Sequence, residues 1–175
     1  MLILRRPTID DLDQIAAYRA AFLSRGDSLD GTSALGEYED PAQWLARIDA
    51  LLRPETCPGH LVPSTTLLCV REEDGRLVGM IDIRHRLNDY LAQFGGHIGY
   101  SVHPEERRKG YATQMLRLAL REAACLGLER VLVTCDKDNE ASRRTVLNNG
   151  GALESEVLEG EKEIVQRYWI EVAHG

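Results

Sequence analysis

Apolar positions along this chain switch between a period of two and a period near 3.6, and each switch marks a new element. Leu2, Ile3 and Leu4 predict a strand over residues 2–6 that stops at Pro7. Thr8 then caps a helix, with Asp10 and Asp11 in its first turn and Leu12, Ile15, Ala16 and Arg19 following at helical spacing. Residues 25–40, rich in Gly, Ser and Asp, read as an irregular loop. Asp40-Pro41 opens a second helix that carries Trp44, Leu45, Ile48, Leu51 and Leu52 and is stopped by Pro54. Strand signals follow at 66–71 and 77–84, and Asp74-Gly75 between them predicts a hairpin with a type I′ turn. Leu87, Tyr90, Leu91 and Phe94 suggest a short helical insert, and 97–102 is the next strand. A long helix then shows Ala112, Met115, Leu116, Ala119, Ala123 and Leu126 on one side and ends at Gly127. Val131 to Cys135 is a buried type of strand, Asp138-Asn139 caps a last helix through Leu147, and strands near 152–158 and 164–172 close the chain.

Composition adds limits. At 175 residues, 43% apolar and 28% charged, the chain suits a single domain over 1–175 with a real core. A formal net charge of −7 argues against a nucleic-acid partner, which needs a broad basic face. No apolar run approaches the roughly 20 residues that span a bilayer, and the N-terminus lacks a signal-type core, so no membrane partner and a cytoplasmic location are expected. Cys57, Cys69, Cys125 and Cys135 are irregularly spaced, so neither a zinc site nor a disulfide framework is expected. Cys69, Cys125 and Cys135 lie in apolar runs and read as small buried hydrophobes.

Against the acidic background one segment stands out: Ser101-Val102-His103-Pro104-Glu105-Glu106-Arg107-Arg108-Lys109-Gly110-Tyr111-Ala112. It leads from a strand through a basic turn into the long helix. Amides at a helix N-terminus lack intrahelical partners and face the positive end of the dipole, so such a turn can hold a phosphate. Gly110 removes the side chain that would obstruct close approach. His103, before a proline, reads as a residue that shapes the loop.

Arg107, Gly110 and Ala112 fill the pattern Gln/Arg-x-x-Gly-x-Gly/Ala, and Asn139-Glu140-Ala141-Ser142 with Asn149-Gly150-Gly151 forms a second block. With the order of elements, these residues make the chain resemble the GNAT superfamily of N-acetyltransferases over nearly its whole length, most clearly from 66 to 172. The resemblance implies an α/β fold: a mixed, mostly antiparallel central sheet of six to seven strands flanked by four helices. It implies acetyl-CoA as co-substrate and direct acetyl transfer to a primary amine, with no metal, because the thioester is already activated. The acceptor would be a small-molecule or peptide amine, and the assembly a monomer or homodimer. The pyrophosphate would rest on the amides from Arg108 to Ala112, with Arg107, Arg108 and Lys109 adding charge and Tyr111 beside them. The pantetheine would pair with the strand edge at Tyr100 to Val102, with Asn139 and Ser142 nearby. Asn139 reads equally well as a plain helix cap.

Family members often carry a tyrosine one turn past the second motif as the acid that protonates the leaving thiolate; here that position is Val146. Tyr100 is the substitute. His97, before Ile98-Gly99-Tyr100, stands where a glutamate base is common, and its ordinary pKa of about 6.5 suits that role. It reads equally well as a packed histidine on the sheet. Asp82 and Arg84 alternate onto one strand face and His85 onto the other with Ile81 and Ile83. Asp27, Asp30, Glu37, Glu39 and Asp40 make an acidic loop, and Trp44, Tyr90 and Phe94 are candidate pocket walls or core. The missing tyrosine leaves open a second function, a non-catalytic acyl-CoA-binding or sensor module.

Overall fold

In the computed structural model, which describes residues 1–173, seven strands and four α-helices form three layers. The elements are β1 (Leu2–Arg5), α1 (Leu12–Leu23), α2 (Pro41–Leu51), β2 (Ser64–Arg71), β3 (Arg76–Arg84), β4 (Ile98–Val102), α3 (Tyr111–Cys125), β5 (Arg130–Asp136), α4 (Glu140–Leu147), β6 (Ala152–Glu159) and β7 (Glu163–Glu171). All strand pairing is antiparallel, in two sheets of order β1-β2-β3-β4 and β5-β7-β6. Among the described residues, no helix is long and apolar enough to cross a membrane.

Both faces of the first sheet are covered, which explains the unbroken apolar run of β2. Leu67 and Cys69 pack with Met115, Leu116 and Ala119 of α3, whereas Leu68 and Val70 pack with Ile15, Tyr18 and Phe22 of α1 and Trp44 and Ile48 of α2. Each helix start follows its sequence signal. Asp11 accepts the Thr8 N–H at 2.8 Å and two Arg5 guanidinium bonds at 2.8 and 2.6 Å, and a 3₁₀ turn over Ile9–Asp11 leads into α1. Asp40 accepts the Ala42 N–H at 2.9 Å behind Pro41 at the start of α2.

Two local readings need correction, and a third is resolved between its alternatives. Residues 72–75 form a four-residue loop in which Gly75 alone takes a positive φ, +68°, so the hairpin does not use a type I′ turn, which needs two such residues. Cys125 is exposed, because it lies off the α3 face that Met115, Leu116, Ala119 and Ala123 bury. Trp44 is fully buried, its Nε1–H donating to the Thr32 carbonyl at 2.8 Å, and is core rather than pocket wall. The insert after β3 is a single wide turn over Leu91–Gly95, begun by Asn88, whose Oδ1 accepts the Leu91 N–H.

The two sheets meet at one end of β4 and β5 and separate at the other. At the joint, the His97 N–H donates to the Leu132 carbonyl at 2.7 Å, and the Thr134 hydroxyl donates to the Phe94 carbonyl at 2.6 Å. Beyond it, among the described residues, the outer edge of β4 has no strand partner, because β3 takes its other side.

Candidate active site

The separation leaves a cleft of about 960 Å³, walled by Tyr100 to Val102 of β4 and Thr134 to Asp136 of β5. Arg107, Arg108 and Gly110 to Thr113 line one end, Asn139, Ala141 and Ser142 one side, and Asp30, Gly31, Arg84 and Phe94 the opposite end. The two sequence motifs, 27 residues apart, therefore face one space.

At the basic turn Gly110 has φ +78° and an added Cβ there would meet nothing within 4 Å. Gln114 is the residue whose N–H reaches back to the Gly110 carbonyl, at 3.3 Å, so the amides of Tyr111, Ala112 and Thr113 belong to the open first turn of α3. The three cations are not equivalent. Arg107 bonds Asp27 at 2.9 Å and lies 5.5 Å from the Phe22 ring centre. Lys109 bonds the buried carboxylate of Glu106 at 2.7 Å and is not part of the cleft wall. Among the described residues Arg108 makes no ion pair; it lines the cleft from a left-handed backbone, φ +62°.

Tyr100 reaches across the cleft to α4, its Oη 2.7 Å from Ser142 Oγ, and burial first of all pushes its phenol up to about 12. Asn139 is a helix cap, Oδ1 accepting the Ser142 N–H at 3.1 Å, and it also lines the cleft. Val146 is fully buried among core residues, behind the wall.

His97 is not brought to the cleft. It is 6% exposed, and its Nδ1 accepts the Leu132 N–H at 2.9 Å. The ring proton therefore sits on Nε2, and neither nitrogen keeps a free lone pair for an amine proton. Burial, then the nearby Arg84 charge, pushes its pKa down to about 4. This depression places the folded value below that of the unfolded chain, near 6.5. The unfolded state therefore binds more protons between those values, and stability is lost as pH falls from about 6.5 toward 4, by up to about 1.4 kcal/mol per pH unit. Urea titrations at pH 7 and pH 5 should show a large loss in the wild type and a smaller one in His97→Asn; equal losses would contradict this placement.

The other polar candidates divide. Asp82 is buried under Thr66, whose hydroxyl donates to it at 2.9 Å, and Arg84 donates to the Gly95 and Gly96 carbonyls at 3.0 and 3.3 Å. His85 bonds Thr65 on the opposite face, as alternation requires. His103 shapes the turn, its Nδ1 accepting the Glu105 N–H. Of the acidic loop, Asp30 lines the cleft, Asp27 holds Arg107 and Asp40 caps α2. Phe94 lines the cleft, whereas Tyr90 is exposed and bonds Glu159. Sequence reasoning missed the wall residues Cys135, Asp136 and Glu159, which follow from the strand ends facing the cleft. It also missed Gly31, whose signal was a glycine beside an acid in an otherwise unassigned loop.

The site is thus a cleft in an α/β domain whose sheet splits between β4 and β5, with a glycine turn at a helix start as one end. Residues 1–152 match the family model described as acetyltransferase (GNAT) domain, and the chain belongs to that family. Solved structures share the fold. Ribosomal-protein-S5-alanine acetyltransferase from Vibrio fischeri superposes with TM-score 0.73 at 17% identity, over 98% of this chain and 93% of that one. RimJ from Mycobacterium smegmatis, in complex with CoA-disulfide, gives 0.71 at 20% identity, over 97% and 81%. The Salmonella typhimurium protein yncA, with its cofactor acetyl-CoA, gives 0.63 at 19% identity, over 99% and 95%. No curated protein matches the chain in sequence.

Proposed function

We propose that the protein is an acetyl-CoA-dependent N-acetyltransferase that moves the acetyl group directly onto a primary amine. The observation that carries the reading is the cleft itself, with an amide-bearing turn at one end and the unpaired edge of β4 along its length. The residues fit the co-substrate. The open space at Gly110, the first-turn amides of α3 and the unpaired Arg108 suit a diphosphate, with Arg107 and Tyr111 at its flank. Lys109 acts on this turn through Glu106. The β4 edge from Tyr100 to Val102 suits the peptide-like pantetheine arm, and Asn139 keeps its amide NH₂ for a carbonyl there.

Acetyl-CoA, when bound, supplies a thioester open to attack by a neutral amine. Tyr100, held up near 12, is a weak acid toward a thiolate whose ordinary pKa is about 8.5, so it serves as a hydrogen-bond donor to the departing sulfur rather than as a full proton donor. Proton removal passes to the carboxylates of the wall. Asp136 is raised by burial and then by the negative charges of Asp138, Glu159 and Asp30.

Steady-state CoA release with a panel of alkylamines, polyamines and N-terminal peptides tests the reading, and saturable release with at least one is expected. Tight acetyl-CoA binding without amine-dependent release would instead support the non-catalytic module that the buried Val146 favours. Tyr100→Phe should lower kcat about tenfold, the size of one lost neutral hydrogen bond of about 1.4 kcal/mol, with the acetyl-CoA KM little changed. A wild-type kcat would mean the thiolate leaves unassisted.

A further inference from the structure

The side chain that organises the basic turn is an acid. Glu106 lies just before the three cations, and its carboxylate is only 4% exposed. Its Oε2 accepts from Arg71 Nη1 at 2.9 Å and from Lys109 Nζ at 2.7 Å, and its Oε1 forms an ion pair with Arg76, 3.0 Å from Nε. Arg71 also bonds the Tyr111 hydroxyl at 3.2 Å and Asp74 at 2.6 Å, while Arg76 bonds Glu105 at 2.6 Å. Arg71 and Arg76 are the residues that close the β2–β3 hairpin, paired across its turn. Three side chains of the phosphate turn, Glu106, Lys109 and Tyr111, are thereby tied to a hairpin end, while Arg108 and the amides between them stay on the cleft.

We propose that Glu106 is the positioning residue of this turn, latching the β2–β3 hairpin to the start of α3 so that the amides and Arg108 hold the diphosphate of CoA. The proposal rests on reading the cleft as an acyl-CoA site. The carboxylate is held below its usual range, chiefly by the Lys109 hydrogen bond, so it is charged at neutral pH. Arg71, Arg76 and Lys109 balance Asp74, Glu105 and Glu106, so the network adds no net charge beside the phosphate.

Coulomb's law and the latch make opposite predictions for Glu106→Gln. Removing a negative charge next to an anion site tightens binding if charge is all that matters. A released turn loses aligned donors and binds more weakly, because ordering it then falls to the ligand. Glu106→Asp keeps the charge but is one methylene too short to reach all three cations, and it decides the matter if the glutamine variant fails to fold. Calorimetry with CoA, alongside S-acetylpantetheine, which lacks the diphosphate, gives the readout. Both variants should bind CoA about tenfold more weakly and leave S-acetylpantetheine affinity within about twofold, as expected for contacts confined to the diphosphate. Unchanged or tighter CoA binding by a folded variant, or an equal loss for both ligands, would overturn the latch. Failure of the wild type to bind CoA would overturn the reading of the site as well, and so is distinguishable from failure of the latch alone.

Discussion

Gly110→Glu should abolish CoA binding, raising Kd by at least about a hundredfold, as calorimetric titration would show. The position demands little of the protein itself. An added Cβ meets no atom within 4 Å, and the left-handed φ of +78° costs a non-glycine residue about 1–2 kcal/mol. The variant should therefore fold. The glutamate side chain, however, stands at the start of α3, where the helix dipole and the free amides of Tyr111 to Thr113 attract it as an internal anion. It competes for the same donors as a diphosphate and repels that diphosphate as well. Gly110→Ala separates the two effects: it carries the backbone strain without the charge, and its Kd should rise less than about tenfold. Unchanged affinity in the glutamate variant would place the phosphate elsewhere.

Gly31→Ala should damage the opposite end of the cleft. Gly31 has φ +67°, and a Cβ there would lie 2.3 Å from the Gly99 carbonyl oxygen and 2.4 Å from Tyr100 Cα, both backbone atoms that cannot yield. The loop before α2 must lift off β4. Its other ties, Trp44 to the Thr32 carbonyl and Arg47 to the Ser33 carbonyl at 3.2 Å, would strain or break with it. A loss of about 2–4 kcal/mol in urea unfolding is expected, in the range of forced backbone incompatibilities. Asp30 and Gly31 wall the end away from the phosphate turn, so kcat/KM for the amine should collapse while CoA affinity stays close to wild type. Full stability with unchanged kinetics would show that the loop does not seat on β4.

How far the sequence led depended on whether the signal was local. Helix starts at Asp40 and Asn139 and the strands of alternating or continuous apolar residues were legible, because caps and periodicity are set by near neighbours. So was the basic turn, a strand, a glycine and a helix start in succession. The pairing of its cations was not, because Asp27, Arg71 and Arg76 come from distant segments and no spacing announces that Glu106 would take up Lys109. His97 shows the same limit. Its residue type suits a base, but its fate was decided by the Leu132 amide, 35 positions away, which occupies the lone pair a base needs. Cys125 was misplaced for a simpler reason: an apolar stretch does not say which face of a helix the fold will cover.

On the proposed function, the gap between β4 and β5 seats acetyl-CoA for direct transfer. A crystal structure of the protein with CoA tests it most directly. Pyrophosphate oxygens should lie within about 3 Å of amides between Arg108 and Ala112. The pantetheine should run along the β4 edge, with the sulfur beside Tyr100. CoA bound outside this cleft, or its pyrophosphate resting away from the Gly110 turn, would contradict it.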